Sequence, residues 1–316
     1  MRVIYGINKI RQKAAAVVAM GVFDGVHRGH KKILKAAVAK ARQIKGVSIV
    51  VTFWPHPRLQ ESLYSLEHRL GIFAELGIDL CVVINFTRHF SRISAADFVK
   101  KVLVDKLCAK YIYVGKDFRF GRNTQGSFVL LEELGKKYGF EAIGFAIVKH
   151  RGRAISSTLI RGIIKQGKIR EAQALLGRPV SILGTVVKGT SLGRILGFPT
   201  ANINPHHEVI PAEGIYAVRI MFKRKKFMGA CYIGKKPTVK APKKVTGVEV
   251  YILNFKGNIY GENLEIQFVR KIRPDKKFSS LETLSSQIRK DIICVRKILL
   301  SASQKKTTIY GYLNPK

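Results

Sequence analysis

Two histidines set three residues apart, His27 and His30, close the segment Gly21-Val22-Phe23-Asp24-Gly25-Val26-His27-Arg28-Gly29-His30. Gly21 and Gly25 let the backbone bend and come close to a ligand. Gly29 and His30 open a helix whose unpaired amides face an anion. Both imidazoles can then point at one phosphate group. An HxGH ending of this kind fits adenylyl transfer, by attack on the α-phosphate of a nucleotide, and leaves the acceptor open. A second segment, Ile155-Ser156-Ser157-Thr158-Leu159-Ile160-Arg161, sets hydroxyls at a helix cap and a guanidinium one turn on, which suits a triphosphate. Two loops carry rigid or flat surfaces: Phe53-Trp54-Pro55-His56-Pro57 and Val114-Gly115-Lys116-Asp117-Phe118-Arg119-Phe120-Gly121. Their rings and prolines offer a bed for a planar heterocycle.

The second half holds another constellation. Gly189, Gly193 and Gly197 recur ahead of Phe198-Pro199-Thr200-Ala201-Asn202. A loop of that type wraps phosphates with backbone amides. Thr200 and Asn202 put neutral oxygens on one side of an extended segment, as Mg²⁺ requires.

Elements must hold these groups in place. In the first half, short apolar runs alternate with helical patterns. Ala15 to Met20, Val47 to Phe53, Leu80 to Phe86, Tyr111 to Val114 and Glu141 to Val148 read as strands. A helix is expected over 29–44, with Ile33, Leu34, Ala37, Val38, Ala41 and Ile44 on one face, and another opens at Ser94 in a capping box with Asp97. Repeated β-α units imply a parallel sheet covered by helices, with HxGH, FWPHP and the 114–121 loop all at carboxyl ends of strands. Past Gly177-Arg178-Pro179 the period changes. Gly214 to Phe222, Phe227 to Ile233, Thr246 to Phe255 and Asn263 to Arg270 alternate like antiparallel strands, and Lys256-Gly257-Asn258 marks a turn between the last two. This predicts an antiparallel barrel or sandwich. Ser279, with Glu282 three residues on, caps a closing helix, and the polar tail from Ser301 is expected to fray.

Length and composition agree with two domains. The chain has 316 residues and is 47% hydrophobic, enough for two cores. It shows no apolar run long enough to cross a bilayer and no signal-peptide layout, so a cytoplasmic setting with no membrane partner is expected. Cys81, Cys108, Cys231 and Cys294 show no CxxC spacing and read as buried reduced thiols. The balance of 57 Lys+Arg against 20 Asp+Glu makes nucleic acid a natural suspect. The excess is spread over both halves, however. Even the densest stretch, with Lys223-Arg224-Lys225-Lys226, reads as a solvated basic face that draws in anionic substrates. No RNA-binding motif accompanies it, and no specific nucleic-acid partner is expected. The sequence assigns no oligomeric state.

Four motifs in this order, GVFDGVHRGH, FWPHP, VGKDFRFG and ISSTLIR, resemble the FMN adenylyltransferase module of the prokaryotic bifunctional riboflavin kinase/FAD synthetase family. The second half resembles its riboflavin kinase module. The likeness lies in Gly193-Arg194-Ile195-Leu196-Gly197-Phe198-Pro199-Thr200-Ala201-Asn202, Gly214-Ile215-Tyr216-Ala217, Ile233-Gly234-Lys235-Lys236-Pro237-Thr238, Val248-Glu249-Val250 and Tyr260-Gly261. The resemblance spans about residues 15–300. It implies a Rossmann-like nucleotidyltransferase domain at 1–178, a small antiparallel β-barrel riboflavin kinase domain with a C-terminal helix at 179–302, and a polar basic tail at 303–316.

It also implies roles. In the first domain Gly21, Phe23, Asp24, Gly29, Ser157 and Thr158 bind ATP. Phe53, Pro55, His56, Pro57, Asp117 and Phe118 bind flavin, and His27, His30 and Arg161 stabilise charge. In the second, Gly193, Gly197, Pro199, Thr200 and Asn202 bind ATP, Thr200 and Asn202 hold Mg²⁺, and Glu249 is the general base. Riboflavin, FMN and ATP are the expected small-molecule partners and FAD the final product. Three positions depart from the family pattern: Tyr232 stands where Asn is common, Lys236 where Arg is usual, and Asn254 where Asp is usual. They leave room for a rival reading, an FMN adenylyltransferase with a decayed kinase. A basic nucleic-acid-binding protein is the alternative from another class.

Overall fold

Alternation of apolar runs with amphipathic helices gives the first half a fully parallel sheet. The structure is a computed structural model that describes residues 1–55, 61–189, 192–236 and 245–310. It forms two compact units, Met1–Ser157 and Thr158–Lys316.

The first unit begins with β1 (Arg2–Tyr5), β2 (Ala16–Met20), α1 (Arg28–Gln43), β3 (Val47–Trp54), α2 (Leu66–Glu75) and β4 (Leu80–Asn85). There follow α3 (Arg88–Ser91), α4 (Ala95–Phe98), β5 (Ala109–Gly115), α5 (Phe128–Tyr138), β6 (Glu141–Phe145) and a small ribbon of β7 (Lys149–His150) and β8 (Arg153–Ala154). The sheet order is β1-β4-β3-β2-β5-β6, with every pair parallel. All five residues of β2 are buried. The chain winds from β2 outward through β3 and β4, then returns to its other side with β5. Order thus reverses at β2, and ligands of open α/β sheets settle at such a point. α1 buries Ile33, Leu34, Ala37, Val38 and Ala41, the face its periodicity marks out.

Several boundaries differ from expectation. β1 is an edge strand with a half-exposed, unpatterned sequence, and it pairs with β4. β6 ends at Phe145 rather than Val148. Ser94 caps α4 as expected, its hydroxyl accepting from Asp97 N at 3.0 Å and donating to Asp97 Oδ2 at 2.7 Å. The helix then widens into a π-turn over Val99–Val104, and Cys108 lies past it with a left-handed φ of 52°. Cys108 and Cys294 are only half-buried, whereas Cys81 and Cys231 are buried.

The second unit carries most of α6 (Ser157–Lys165), then α7 (Ile169–Leu176), β9 (Val180–Val187), α8 (Leu192–Ile195), β10 (Thr200–Asn204) and β11 (Gly214–Phe222). It continues with β12 (Lys225–Lys236), β13 (Val245–Ile252), β14 (Asn263–Arg273) and α9 (Leu281–Tyr310). The six strands close a barrel in the order β10-β13-β12-β11-β14-β9, all neighbours antiparallel. Val218, Ile220, Cys231, Ile233, Val250, Ile266 and Phe268 fill it with no exposed surface. Two of these strands, β9 and β10, complete the ring beyond the four that alternate clearly. Lys256-Gly257-Asn258 is not a hairpin turn: β13 pairs with β10 and β12, and β14 with β11 and β9, so this connection joins strands that are not neighbours.

α7 packs on β9 and β14. The helices leading up to Gly177-Arg178-Pro179 therefore group with the barrel. α9 is capped by Ser280, which accepts from Thr283 N at 3.2 Å, one residue beyond the expected Ser279. Its backbone stays helical through Tyr310, past the expected fray at Ser301. A bidentate bond fastens it: Arg273 Nη2 donates to Asp291 Oδ2 at 2.8 Å and Nε to Oδ1 at 3.1 Å. Among the described residues no helix is long and apolar enough to cross a membrane.

Candidate active sites

The first site grows from the end of β2. Gly21 N bonds Val51 O at 3.1 Å, which holds the chain to β3 as it leaves the sheet. Phe23, Gly25 and Val26 then take left-handed φ values of 52°, 75° and 39°. For a β-branched residue such as Val26 this conformation is strained and needs a rigid setting. Val26 is fully buried, and its N–H bonds Phe23 O at 3.0 Å. At Gly25 the φ of 75° favours glycine, and a side chain would put Cβ 2.5 Å from Leu63 Cδ1 and 3.2 Å from Leu63 Cβ.

His27 caps α1, its Nδ1 accepting from His30 N at 3.4 Å. The two imidazoles stack, with centroids 3.6 Å apart and planes 20° from parallel. The pair forms one slab at the positive end of the α1 dipole, where an anion is favoured. Phe23 is buried and stands edge-on to both His30 (5.3 Å) and Phe73 (6.1 Å), so its ring backs the slab. Asp24 is buried as well. Its Oδ1 accepts from Tyr64 N at 3.3 Å, and its carbonyl accepts from Ser157 Oγ at 2.9 Å. Ser157 thus holds the loop directly. Thr158 is exposed and Arg161 half-buried one turn along α6.

Strands β3 and β5 flank β2, so their carboxyl ends open beside Gly21. Phe53, near the end of β3, is buried against Phe86 and Phe90 at 6.1 and 6.2 Å. Pro55 is exposed beyond it, while His56 and Pro57 lie outside the described residues. After β5, Asp117 is exposed and Phe118 half-buried, its ring stacked on Phe120 at 6.0 Å. Sequence reasoning missed Arg69 in α2, which is 1% exposed. Its Nη1 donates to Val22 O at 2.6 Å and to Thr52 Oγ1 at 3.2 Å. A signal existed: Leu66, Arg69 and Ile72 follow the helical stripe that faces the core.

The second site lies on the outside of the barrel, across three adjacent strands. Register pairs Asn202 of β10 with Glu249 of β13, and Glu249 with Tyr232 of β12. Val248 and Val250 point inward and are buried, so Glu249 faces out as its alternation predicts. Thr200 Oγ1 donates to Glu249 Oε2 at 3.1 Å. The glycines fit closely around these groups. A Cβ on Gly189 would fall 1.9 Å from Asn202 Nδ2, and one on Gly193 would fall 2.5 Å from Phe198 O and 3.0 Å from Thr200 Oγ1. Gly197 turns the chain out of α8 with a φ of 82°. Pro199, Thr200, Arg194, Phe255 and Tyr260 help line a cleft of about 480 Å³.

The departures also have places. Tyr232 Oη donates to Asp275 Oδ2 at 3.1 Å, and the ring lies over Gly234, where a Cβ would meet Oη at 2.0 Å. Burial, reinforced by the Asp275 carboxylate, pushes this phenol up to about 12. Asn254, left-handed at φ 57°, accepts from Arg296 Nη2 of α9 at 3.3 Å. Lys236 ends β12, and Pro237 and Thr238 lie outside the described residues.

A glycine-bearing loop with two stacked imidazoles at the switch point of a parallel sheet, followed by a barrel with a carboxylate beside a hydroxyl and an amide, is an arrangement suited to enzymes that move phosphorus groups from nucleotides. Known proteins narrow the class. A family model described as FAD synthetase matches residues 9–159, and one described as riboflavin kinase matches residues 176–299. A bifunctional riboflavin kinase/FMN adenylyltransferase of Buchnera aphidicola (Schizaphis graminum) is 38% identical over 94% of this chain and 98% of its own. The Escherichia coli K12 enzyme of that name is 34% identical over 94% and 97%. A solved structure described as a macrolide-efflux protein from Streptococcus pneumoniae is 29% identical and covers 94% of this chain and 99% of its own, with a TM-score of 0.81. The chain belongs to the bifunctional riboflavin kinase/FMN adenylyltransferase family.

Proposed function

We propose that the barrel phosphorylates riboflavin to FMN and that the first unit joins FMN to AMP, each step drawing on ATP at its own site. Family membership supplies the substrates riboflavin, FMN and ATP and the product FAD. In functional terms the division runs 1–178 for adenylyl transfer and 179–302 for the kinase, with 303–316 as a tail. The two family matches, 9–159 and 176–299, support it.

In the kinase, Glu249 accepts the proton of the riboflavin 5′-hydroxyl as that oxygen bonds the γ-phosphorus of ATP and the bond to the β-phosphate oxygen breaks, leaving ADP. The Thr200 hydroxyl holds the carboxylate in place from the neighbouring strand. Thr200 and Asn202 fit Mg²⁺ by their chemistry. They offer neutral oxygens, and Gly189 and Gly193 let the backbone pack closely against them. Among the described residues no three His, Cys, Asp or Glu gather around a cation, so an ion here would share its shell with substrate phosphates. When bound, it would neutralise charge on those phosphates. Pro199 lines the adjoining cleft, assigned here to the nucleotide, and Gly193 and Gly197 shape the loop that leads into it.

In the first unit, a phosphate oxygen of FMN bonds the α-phosphorus of ATP and pyrophosphate leaves. That nucleophile is already anionic and needs no base, so catalysis rests on position and charge. The histidine slab at the α1 N-terminus receives the phosphates, Gly21, Gly29 and Ser157 shape its loop, and the family resemblance assigns Thr158 and Arg161 to the same nucleotide. Phe53, Pro55, His56, Pro57, Asp117 and Phe118 hold the flavin. The reactions are placed in the cytoplasm, where four reduced cysteines are at home.

The observation that carries this reading is the cross-strand set of Thr200, Asn202 and Glu249, and with it the stacked imidazoles of the HxGH slab, whose loop carboxylate, Asp24, is buried and accepts from Tyr64 N. The test supplies riboflavin and Mg-ATP, separates FMN from FAD, and repeats the measurement with supplied FMN. Formation of both products supports the reading; FAD formed only from supplied FMN would refute it.

A further inference from the structure

Arg69 is a charged side chain that is 1% exposed, and neither reaction step proposed above gives it a role. A cation in such a place is costly unless its hydrogen bonds are met. Its bonds are informative. Arg69 Nη1 donates to Val22 O at 2.6 Å and to Thr52 Oγ1 at 3.2 Å, and Thr52 Oγ1 itself donates to Val22 O at 3.0 Å. Val22 is the second residue of the HxGH loop. Thr52 stands two residues before Trp54, and the Trp54 ring lies 5.4 Å from the guanidinium carbon of Arg69. The guanidinium therefore touches the root of the phosphate loop and the root of the FWPHP loop at once.

The strand-to-helix segment ahead of α2 repeats the grip. Leu63 fills the space that a side chain at Gly25 would need, and Tyr64 N donates to Asp24 Oδ1. The segment that continues from the flavin loop is thus the bed on which the phosphate loop lies. Arg69 makes both bonds from Nη1 while its planar guanidinium lies over the Trp54 ring, and a lysine keeps the charge but not that planar contact.

We infer that Arg69 is a positioning residue that couples the ATP loop to the flavin loop, so that the two substrates of adenylyl transfer bind with a shared dependence on one buried cation. This rests on the reading of HxGH as the ATP site and FWPHP as the flavin site. The coupling is an alignment device: the attacking FMN oxygen and the α-phosphorus sit on different loops, and a displacement of about 1 Å between them costs on the order of 100-fold in rate.

The test uses the full chain, whose kinase serves as an internal control for folding. FAD formation is measured over a grid of ATP and FMN concentrations for wild type, Arg69→Lys and Thr52→Val, with riboflavin phosphorylation measured in parallel. The expected result for Arg69→Lys is a kcat for FAD formation lower by about 10- to 100-fold, a rise in KM for both ATP and FMN, and an unchanged rate of riboflavin phosphorylation. Thr52→Val keeps the guanidinium but removes the hydroxyl arm, and should move both KM values in the same direction by about threefold. A merely structural role would lower melting temperature while leaving both KM values of the folded enzyme as in wild type, and that result overturns the inference. A change in KM for only one substrate overturns it too. If Arg69→Lys does not accumulate as folded protein, Thr52→Val decides alone on the same criteria. His30→Ala in the same assay separates the two levels: full FAD synthesis by that variant refutes the site reading itself, whatever Arg69 does.

Discussion

The two sites place their chemistry on different kinds of backbone. The site proposed for adenylyl transfer is a loop with residues at left-handed φ, in which Phe23, Asp24 and Val26 are buried and which Arg69 of α2 holds from beneath. The site proposed for the kinase is a row across three strands, where Asn202, Glu249 and Tyr232 are set side by side by register. The difference follows the nucleophiles. FMN brings an anionic phosphate, which needs a fixed electrostatic setting and no proton acceptor. Riboflavin brings a neutral hydroxyl, which needs a carboxylate at a defined distance. A loop wrapped around a helix N-terminus supplies the first, and an outward-facing strand position supplies the second.

This contrast can be broken or sharpened by substitution. The largest effect is expected from Glu249→Gln, which should cut FMN formation from riboflavin by about 10²- to 10⁴-fold while FAD formation from supplied FMN continues. Loss of both activities would show that the sites are not separate in function. His30→Ala should give the mirror result, a fall of about 10²- to 10³-fold in FAD formation with riboflavin phosphorylation intact. Gly189→Ala probes the strand site through its surroundings. The added methyl overlaps the Asn202 amide, so kinase turnover should drop by about 10- to 100-fold without any change in FAD formation from FMN. A wild-type kinase rate would mean that Asn202 can leave its place at no cost.

Smaller effects concern support. Asp291→Ala leaves Arg273 partly buried without its bidentate partner, and should destabilise the barrel by about 3 kcal/mol in denaturant unfolding. A transition belonging to the first unit should stay where it is. The smallest effect is expected from Tyr232→Phe. It deletes one bond to Asp275 yet leaves the ring over Gly234, so KM for riboflavin should move by no more than about threefold. A large loss of kcat would instead place the Tyr232 hydroxyl in the reaction.

Much of this was readable in advance, and the reasons differ by element. β2, β3 and α1 announce themselves because burial and periodicity coincide: all of β2 and one full face of α1 are apolar. Glu249 stands out between Val248 and Val250 for the same reason. β10 did not read as a strand, since Thr200, Asn202 and Asn204 are polar and its pairing comes wholly from β9 and β13. β1 was hidden because an edge strand needs only half a pattern. The paired role of Lys256-Gly257-Asn258 was misread because local turn chemistry says nothing about which strands a connection joins. The cap of α9 shifted by one residue because two serines adjoin and Thr283, not Glu282, supplies the amide. Arg69 escaped because a charged residue on an apolar stripe is usually a solvated end, and its partners lie in segments 17 and 47 residues away.

The closure of the barrel carries one more consequence, for how the chain comes to be folded. β9 is sealed by β14, with Ser181 opposite Gln267 and Val180 opposite Phe268. The barrel cannot close until nearly all of its own sequence has left the ribosome. The first unit also waits on a distant pairing, β2 with β5, but its last strand, β6, ends at Phe145, before the barrel's first strand begins. Contacts between distant segments slow folding, and domains made first generally fold first. The half that makes FAD is therefore assembled while the half that makes FMN is still an open chain, the reverse of the order in which their products are needed.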